Sequence, residues 1–151
     1  MNALTNANSK IGAYPFTTLE PHLGDLYGYT LADIPGLIDG ASSGKGLGHK
    51  FLRHVSRTKM LLHLISLEQE NPLEKYYAIK EELNTFDKDL GEKEEWVILT
   101  KKDLVKEDLI DPVVKAIEKI EKRVFVISEN DTESIKNLSD ALVSHLRQKY
   151  N

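Results

Sequence analysis

The spacing of apolar residues along this chain becomes regular after residue 60. Three short apolar runs, at residues 60–67, 96–99 and 123–127, have the length of buried β-strands. The stretches between and after them carry apolar residues every three or four positions, which is the spacing of one helical face. This alternation predicts an α/β fold with a mostly parallel sheet and helices on its faces. In the last predicted helix, residues 132–150, the inward side chains are Ile135, Leu138, Leu142 and Leu146.

Capping residues indicate the bounds of two other helices. Asn71 is suited to cap a helix whose first residue is Pro72, and Gly91 is suited to end it. Asp111 and Pro112 form a second start signal of the same kind. We therefore expect one continuous helix between the first pair of signals, and another that begins at the second pair.

The amino-terminal part has a weaker pattern. Residues 1–8 have the apolar spacing of a helix end, and residues 9–21 have the prolines and hydroxyls of a loop. Residues 22–25 and 27–32 can form two extended segments that turn at Gly28.

The segment that follows residue 30 holds the first candidate site. An apolar strand ends in Asp33-Ile34-Pro35-Gly36, and a loop rich in glycine follows up to Gly48. A carboxylate at a strand end can hold a metal-bound water, and Gly36 lets a backbone N–H approach a ligand with no Cβ in the way. Asp and Gly are also common turn residues, so a strand end followed by an ordinary turn explains the same residues.

Polar residues also follow two later strands, at Thr100–Asp103 and Ser128–Asn130. In a parallel sheet, these segments and Asp33 open on the same edge. A carboxylate two residues after a lysine can accept two hydrogen bonds from a purine with adjacent N–H and NH₂ groups, while the lysine stem lies along the ring. A threonine hydroxyl, as in Thr17–Thr18, can enter a magnesium shell. This spacing suggests a nucleotide site.

Composition narrows the class of protein. The chain has 151 residues, 40% apolar and 29% charged, which is typical of one globular domain over residues 1–151. The net charge of −4 argues against a general affinity for nucleic acid, and without cysteine there is no thiolate site. No apolar run approaches the ~20 residues of a membrane helix, and the first residues lack a secretion signal, so we expect a cytoplasmic protein without membrane contact.

Three stretches resemble a known protein family. They are Tyr-Pro-Phe-Thr-Thr-Leu-Glu-Pro-His-Leu-Gly (14–24), Ala-Asp-Ile-Pro-Gly-Leu-Ile-Asp-Gly-Ala (32–41) and Gly-Lys-Gly-Leu-Gly-His-Lys-Phe-Leu-Arg-His-Val-Ser-Arg-Thr (44–58). They are similar to the GTPase domain of Obg-type proteins, which are P-loop GTPases tied to assembly of the large ribosomal subunit. The resemblance implies a three-layer P-loop GTPase-like α/β fold, GTP/GDP and Mg²⁺ as cofactors, GTP hydrolysis, and a monomer whose partner is the large ribosomal subunit or its rRNA.

The resemblance also assigns roles to residues. Thr18, in switch I, is the implied magnesium ligand that senses the γ-phosphate. Asp33, in switch II, is implied to hold a magnesium-bound water, and Gly36 to offer its N–H to the γ-phosphate. Lys101 is implied to lie along the guanine, whose N–H groups Asp103 accepts. The implied nucleotide-binding set is Phe16, Thr17, Thr18, Leu19, Glu20, Asp33, Ile34, Pro35, Gly36, Thr100, Lys101, Lys102, Asp103, Ser128, Glu129 and Asn130, with Thr18 and Asp33 at the metal.

Three positions depart from the family pattern. Thr100 stands where an Asn amide ties this loop to the phosphate loop, and a hydroxyl replaces that link only in part. Glu129 stands where the family has Ala in the loop that closes over the guanine, which changes the expected shape of that loop. Leu37 stands where Ras-like GTPases keep a water-orienting Gln. The family also has an apolar residue there, so slow hydrolysis is implied and no catalytic side chain is assigned.

The 151 residues contain no Gly-x-x-x-x-Gly-Lys-Ser/Thr phosphate loop. By the resemblance, Met1 falls just after that motif, so we expect the family's first strand and phosphate loop to lie upstream. The strands near residues 28–33 and 60–66 would then face a gap or pair directly. A phosphate loop supplies backbone N–H groups, a lysine and a magnesium ligand. Two interpretations stay open: an Obg-type GTPase whose product begins upstream, or a non-hydrolysing GTPase-like interaction module.

Other charged or titratable residues have structural explanations. His63 alternates with apolar residues in a strand and is expected to be a core histidine with a satisfied hydrogen bond. The acidic stretch at 91–95 is expected to be an exposed loop. A basic cluster suits a solvated helix face, with RNA contact as the alternative, and comprises Lys45, Lys50, Arg53, Arg57 and Lys59.

Overall fold

A computed structural model describes residues 1, 3–5, 10–11, 22–33, 55–120 and 123–150. The predictions for residues 12–21 and 34–54, which include most of the basic cluster, lie outside these residues. The chain divides into two compact units. Unit 1 comprises Met1–Pro35 with Glu129–Asn151, and unit 2 comprises Gly36–Ser128.

The described residues contain six strands, four α-helices and one 3₁₀ turn. In chain order these are β1 (Lys10–Ile11), β2 (His22–Leu26), β3 (Tyr29–Ala32), β4 (Leu61–Ser66), α1 (Pro72–Phe86), α2 (Lys88–Gly91), β5 (Glu95–Thr100), the 3₁₀ turn (Lys102–Leu104), α3 (Glu107–Glu118), β6 (Val124–Val126) and α4 (Thr132–Tyr150). None of these helices has both the length and the apolar character needed to cross a membrane.

Unit 1 contains an antiparallel sheet with the strand order β1–β2–β3. A two-residue turn at Tyr27 (φ 51°) and Gly28 (φ 90°) joins β2 to β3 and places Leu26 opposite Tyr29. Positive φ at both central residues is the geometry of a tight hairpin whose twist matches that of the strands. The two predicted extended segments are therefore confirmed as a hairpin.

Two short segments of unit 1 differ from the predictions. Lys10–Ile11 is a strand on the β2 edge, although residues 9–21 were expected to be a loop throughout. A two-residue pairing of this kind has no periodic pattern by which the sequence could reveal it. Ala3–Thr5 form a turn rather than a helix end, in which the N–H groups of Leu4 and Thr5 donate to the Met1 carbonyl (3.0 and 3.1 Å).

Helix α4 agrees with its prediction. The Asp131 carboxylate accepts hydrogen bonds from the N–H groups of Glu133 (3.1 Å) and Ser134 (3.2 Å), which caps the first turn. All four side chains that the spacing predicts to face inward are buried. The apolar stripe was thus sufficient to identify this helix and its buried face.

Unit 2 is organised around a parallel sheet with the order β4–β5–β6. The central strand β5 pairs with β4 through Ser66 opposite Thr100, and with β6 through Leu99 opposite Val126. One cluster of buried side chains, from the sheet and from helices α1 and α3, forms the core on one face: Ile65, Leu67, Tyr76, Val97, Leu99 and Ile117. The predicted α/β fold with parallel strands is confirmed.

The helix predicted at residues 71–91 is divided at Asp87. Helix α1 ends at Phe86, and Asp87 is extended (φ −158°, ψ 123°), with its carboxylate accepting a hydrogen bond from the N–H of Asp89 (2.9 Å). A short acidic side chain can bond to nearby backbone N–H groups and so compete with a continuing helix. Asn71 precedes α1 but its side chain makes no capping hydrogen bond.

Helix α3 begins at Glu107, one turn before the predicted start at Asp111, and Pro112 lies inside it. Proline inside a helix removes a main-chain hydrogen bond. The residues around Pro112 that pack against the core are Ile110, Val113 and Val114, together with the fully buried Ile117. Burial of this longer apolar face offsets the loss of the hydrogen bond, so the Asp-Pro signal does not mark the start.

Two expectations for the sheet were wrong. Residues 60–67 were expected to be a strand covered on both faces, but the side chain of Leu64 in β4 is 56% exposed. The strand that delivers Asp33 was expected in that same sheet, but β3 belongs to the antiparallel sheet of unit 1. A tight hairpin pairs β3 locally with β2.

Candidate guanine-reading loop and its surroundings

The loop that follows β5 has a defined backbone shape. Thr100 is the last residue of the strand, and Lys101 adopts the left-handed conformation (φ 62°, ψ 38°). The chain then makes the 3₁₀ turn Lys102–Leu104, in which the N–H of Leu104 donates to the Lys101 carbonyl (3.0 Å). This turn leaves Asp103 exposed at the sheet edge. The predicted polar segment at Thr100–Asp103 therefore lies at a strand end, as expected.

Main-chain hydrogen bonds connect this loop to the segment after β6. The N–H of Lys102 donates to the Ile127 carbonyl (3.2 Å), and the N–H of Ile127 donates to the Leu99 carbonyl (2.8 Å). Ser128, the next residue, is buried in unit 2. The structure therefore brings together two of the predicted segments, Thr100–Asp103 and Ser128.

The other two residues of the predicted loop over the base, Glu129 and Asn130, are exposed and belong to unit 1, where they precede the capping Asp131 of α4.

The side chain of Lys101 forms an ion pair with the carboxylate of Glu68. Parallel pairing of Ser66 with Thr100 sets the strand ends side by side, and the N–H of Leu67 donates to the Thr100 carbonyl (3.1 Å). The Thr100 hydroxyl faces the Ile65 carbonyl (3.4 Å) rather than an amide of another loop.

Glu68 was not predicted as a site residue. Glu68 lies two residues beyond the end of β4. This position predicts a contact with Lys101 only when the register between β4 and β5 is known.

Only one of the residues that the resemblance assigns to the switches lies in the described part of the chain. Asp33 follows β3 directly, its N–H donates to the His22 carbonyl (2.9 Å), and its side chain is exposed. Phe16, Thr17, Thr18, Leu19, Glu20, Ile34, Pro35 and Gly36 lie outside the described residues. Within the described ranges, no group of three or more His, Asp or Glu side chains could hold a metal ion.

A buried charged cluster, formed by Glu95, His63 and Lys80, lies in unit 2 at the strand ends opposite to the loop. The Glu95 carboxylate is 2.6 Å from His63 Nδ1 through one oxygen and 2.6 Å from Lys80 Nζ through the other. Burial acts to raise the pKa of Glu95, but the hydrogen bonds from His63 and Lys80 act in the opposite direction and hold this pKa below its ordinary value. Glu95 begins β5 whereas Thr100 ends it, so the cluster is separate from the loop Thr100–Asp103.

This cluster confirms one prediction and corrects another. His63 is a core histidine with a satisfied hydrogen bond, and it also stacks on Tyr76 with ring centroids 5.4 Å apart. The stretch 91–95 is a partly exposed loop only in its middle, at residues 92–94, because Gly91 ends α2 in a buried position and Glu95 is a buried strand residue. The stretch is rich in acidic residues, so the sequence pattern did not separate the buried, paired Glu95 from its exposed neighbours.

A comparison with protein families identifies one match. A sequence model described as "50S ribosome-binding GTPase" matches residues 1–102. This range includes the two segments that the resemblance assigns as switches, 16–20 and 33–36, and the loop after β5 up to Lys102.

Curated relatives agree with that match. GTPase Obg from Prochlorococcus marinus (strain MIT 9215) is 46% identical over 144 residues, which cover 91% of this chain and 44% of that protein. GTPase Obg from Desulfatibacillum aliphaticivorans is 55% identical over 112 residues, 69% of this chain and 33% of the relative. GTPase Obg from Ehrlichia canis (strain Jake) is 41% identical over 154 residues, 97% of this chain and 44% of the relative. The chain therefore spans less than half the length of these relatives.

Proposed function

This chain belongs to the 50S ribosome-binding GTPase family, as an Obg-type GTPase domain, and from that premise we propose that it binds a guanine nucleotide with Mg²⁺ in a GTP-hydrolysing protein. The observation that carries the proposal is the loop Thr100–Asp103, which lies at a parallel strand end with Asp103 exposed and Lys101 in a fixed left-handed conformation. Ligands of open α/β sheets bind at this edge.

The chemistry of the loop suits a guanine base. Guanine presents an N–H and an NH₂ group side by side, and a carboxylate can accept from both. Asp103 would make these two bonds, which are stronger than bonds between neutral groups because the acceptor is ionised. The apolar stem of Lys101, whose side chain is 53% exposed, would lie against the ring face. Ser128, held close by the bond between Lys102 and Ile127, would close the site.

One described residue is suited to a magnesium site. Mg²⁺ in proteins keeps several waters and takes one or two carboxylates with substrate phosphates, so it does not need a cage of protein side chains. Asp33 offers one exposed carboxylate at a strand end, without a cluster of His and acidic side chains in the described ranges. We propose that Asp33 holds a magnesium-bound water and that Thr18 and Gly36 approach the ion and the γ-phosphate.

The role of the whole protein is proposed from the family. The family description names the 50S ribosome, and the relatives are named GTPase Obg. We propose that residues 1–151 form part of one GTPase domain in a monomeric, cytoplasmic protein, and that GTP hydrolysis there is linked to assembly of the large ribosomal subunit, with the subunit or its rRNA as partner.

Nucleotide titration followed by amide NMR shifts tests the proposal. The purified chain, with Mg²⁺, should bind GDP with shifts centred on Thr100–Asp103, and should bind ADP much more weakly. Asp103→Asn should weaken GDP binding about 10- to 100-fold, because a charge-assisted hydrogen-bond pair is lost. The same variant should bind xanthosine diphosphate better than the parent does, because the amide NH₂ can donate to the second carbonyl of xanthine.

The matched control is Asp108→Asn, which makes the same charge change at an exposed residue of α3. It should bind GDP as the parent chain does. Equal binding of GDP and ADP, or an Asp103→Asn variant with unchanged base preference, would contradict the proposal.

A second candidate function is a GTPase-like interaction module that does not hydrolyse GTP. It is favoured by one observation, which is that the 151 residues contain no Gly-x-x-x-x-Gly-Lys-Ser/Thr motif. Under this alternative, the purified chain would bind a ribosomal partner equally well with and without guanine nucleotide, whereas the first proposal requires the nucleotide to change that binding.

A further inference from the structure

The Glu68 side chain pairs with the proposed guanine-reading loop, Thr100–Asp103, through Lys101. The function proposed above assigns no role to Glu68. We infer that Glu68 is a positioning residue for base recognition, because its carboxylate holds the ammonium group of Lys101 and thereby fixes where the lysine stem lies. This inference rests on the proposed function, since it concerns the lysine that would lie along the guanine ring.

The backbone of the loop is already fixed without Glu68. Lys101 is in the left-handed conformation, the N–H of Leu104 donates to its carbonyl, and the N–H of Lys102 donates to Ile127. What these bonds leave undetermined is the four-carbon stem of Lys101, which carries roughly 2 kcal/mol of rotamer entropy when unrestrained. A partner at the tip of the side chain is therefore needed to hold the stem in one place.

The strand register explains why Glu68 is that partner. β5 lies between β4 and β6, and Ser66 of β4 is opposite Thr100 of β5. Glu68 therefore emerges beside Lys101 on the β4 side, while the N–H of Lys102 bonds toward the β6 side. The tip of the lysine side chain is therefore held on the β4 side and the following main chain on the β6 side.

Positioning and general electrostatics predict opposite effects of removing this carboxylate. If Glu68 acts only as a background charge, its neutralisation should strengthen binding of an anionic nucleotide, because one repulsive charge is removed. If it positions Lys101, neutralisation should weaken binding. Glu70 is a matched control, since it is an exposed glutamate two residues further along and makes no described ion pair.

The experiment is calorimetric titration of the chain with GDP and Mg²⁺. Glu68→Gln should raise the Kd about two- to fivefold at low salt, which is the range of an exposed ion pair. The effect should shrink at ~0.5 M salt, where exposed pairs are screened. Glu70→Gln should leave the Kd unchanged or slightly lower. Glu68→Asp, which keeps the charge on a shorter side chain, should recover part of the lost affinity.

A double-mutant cycle separates positioning from a structural role. Glu68→Gln should have no further effect on the Kd in a Lys101→Met background, because the group through which it acts is then absent. Thermal unfolding should be the same for the parent chain and the Glu68→Gln variant.

The inference is overturned if the Glu68→Gln variant binds GDP as tightly as the Glu70→Gln variant does. It is also overturned if Glu68→Gln weakens GDP binding as much in the Lys101→Met background as in the parent chain. Neither result affects the proposed function. A parent chain that does not bind GDP overturns the proposed function itself.

Discussion

Replacing Glu95 with glutamine should destabilise unit 2 by about 2 kcal/mol at pH 7. The Glu95 side chain is 1% exposed, and both of its oxygens have a partner at 2.6 Å. A hydrogen bond to a charged group contributes about 1.5–3 kcal/mol, and removing one partner of a buried ion pair costs about 3–5 kcal/mol. Glutamine keeps one acceptor oxygen, and the Lys80 side chain is 19% exposed and can be partly hydrated, so the expected loss lies below that upper range.

The loss should depend on pH with a definite sign. The pKa of Glu95 is held below its ordinary value of 4.5 by His63 and Lys80, against the effect of burial. A carboxylate with a lowered folded-state pKa adds stability that is complete above the unfolded-state pKa and is lost as the pH falls through the folded-state pKa. The difference between the parent chain and Glu95→Gln should therefore decrease as the pH falls below about 4.5.

Urea unfolding followed by tryptophan fluorescence measures this difference. Trp96 is the only tryptophan, it is 1% exposed, and it adjoins Glu95 in β5. With a typical slope of about 2 kcal/mol per molar urea, the midpoint should fall by about 1 M while the slope stays unchanged.

Glu92→Gln is the control for that measurement, because the Glu92 side chain is 65% exposed and lies 3.7 Å from Lys88. Its effect should stay within about 0.5 kcal/mol. A Glu95→Gln loss no larger than this control, or one that is the same at pH 3 and pH 7, would refute the argument from the buried cluster.

Two further predictions concern the hairpin and the reaction. Gly28→Ala should destabilise the hairpin by about 1 kcal/mol, because φ is +90° and no atom of the described residues lies within 4 Å of the added Cβ, so the cost is that of the backbone alone. Amide exchange in β2 and β3 should become faster, and unchanged exchange would argue against it. The purified 151-residue chain with Mg²⁺ and GTP should release no phosphate above the buffer rate, because its sequence has no Gly-x-x-x-x-Gly-Lys-Ser/Thr to bind the phosphates. Sustained release in a phosphate assay would contradict this prediction.

Local pattern accounts for the elements that were predicted well. Helix α4 has a long, regular apolar stripe and strand β5 contains the continuous apolar run 96–99, so the type of these elements and their buried apolar residues follow from the local pattern. The boundaries that were wrong depend on tertiary packing or on one side-chain bond. Pro112 is tolerated inside α3 because the helix packs on the core, and Asp87 ends α1 because its carboxylate bonds to Asp89.

Pairs that are distant in sequence explain what was missed around the candidate site. The predicted segment Thr100–Asp103 was placed at a strand end because an apolar run precedes it. The partners of Lys101 and His63, in contrast, are 33 and 32 residues away in the chain. Those contacts depend on the register of parallel strands, which apolar periodicity does not determine. The sequence pattern alone therefore does not distinguish Glu68 and Glu95 from ordinary exposed acidic residues.

The hydrogen bonds that shape the loop after β5 have a kinetic consequence. They join main-chain atoms of Lys101, Lys102, Leu104 and Ile127, so the loop conformation forms together with the sheet and before any ligand arrives. The binding surface for a base would then be preformed, so little conformational entropy of the protein would be lost on binding. Association would then be governed by diffusional encounter and the ligand's own orientation, rather than by a slow rearrangement of the loop.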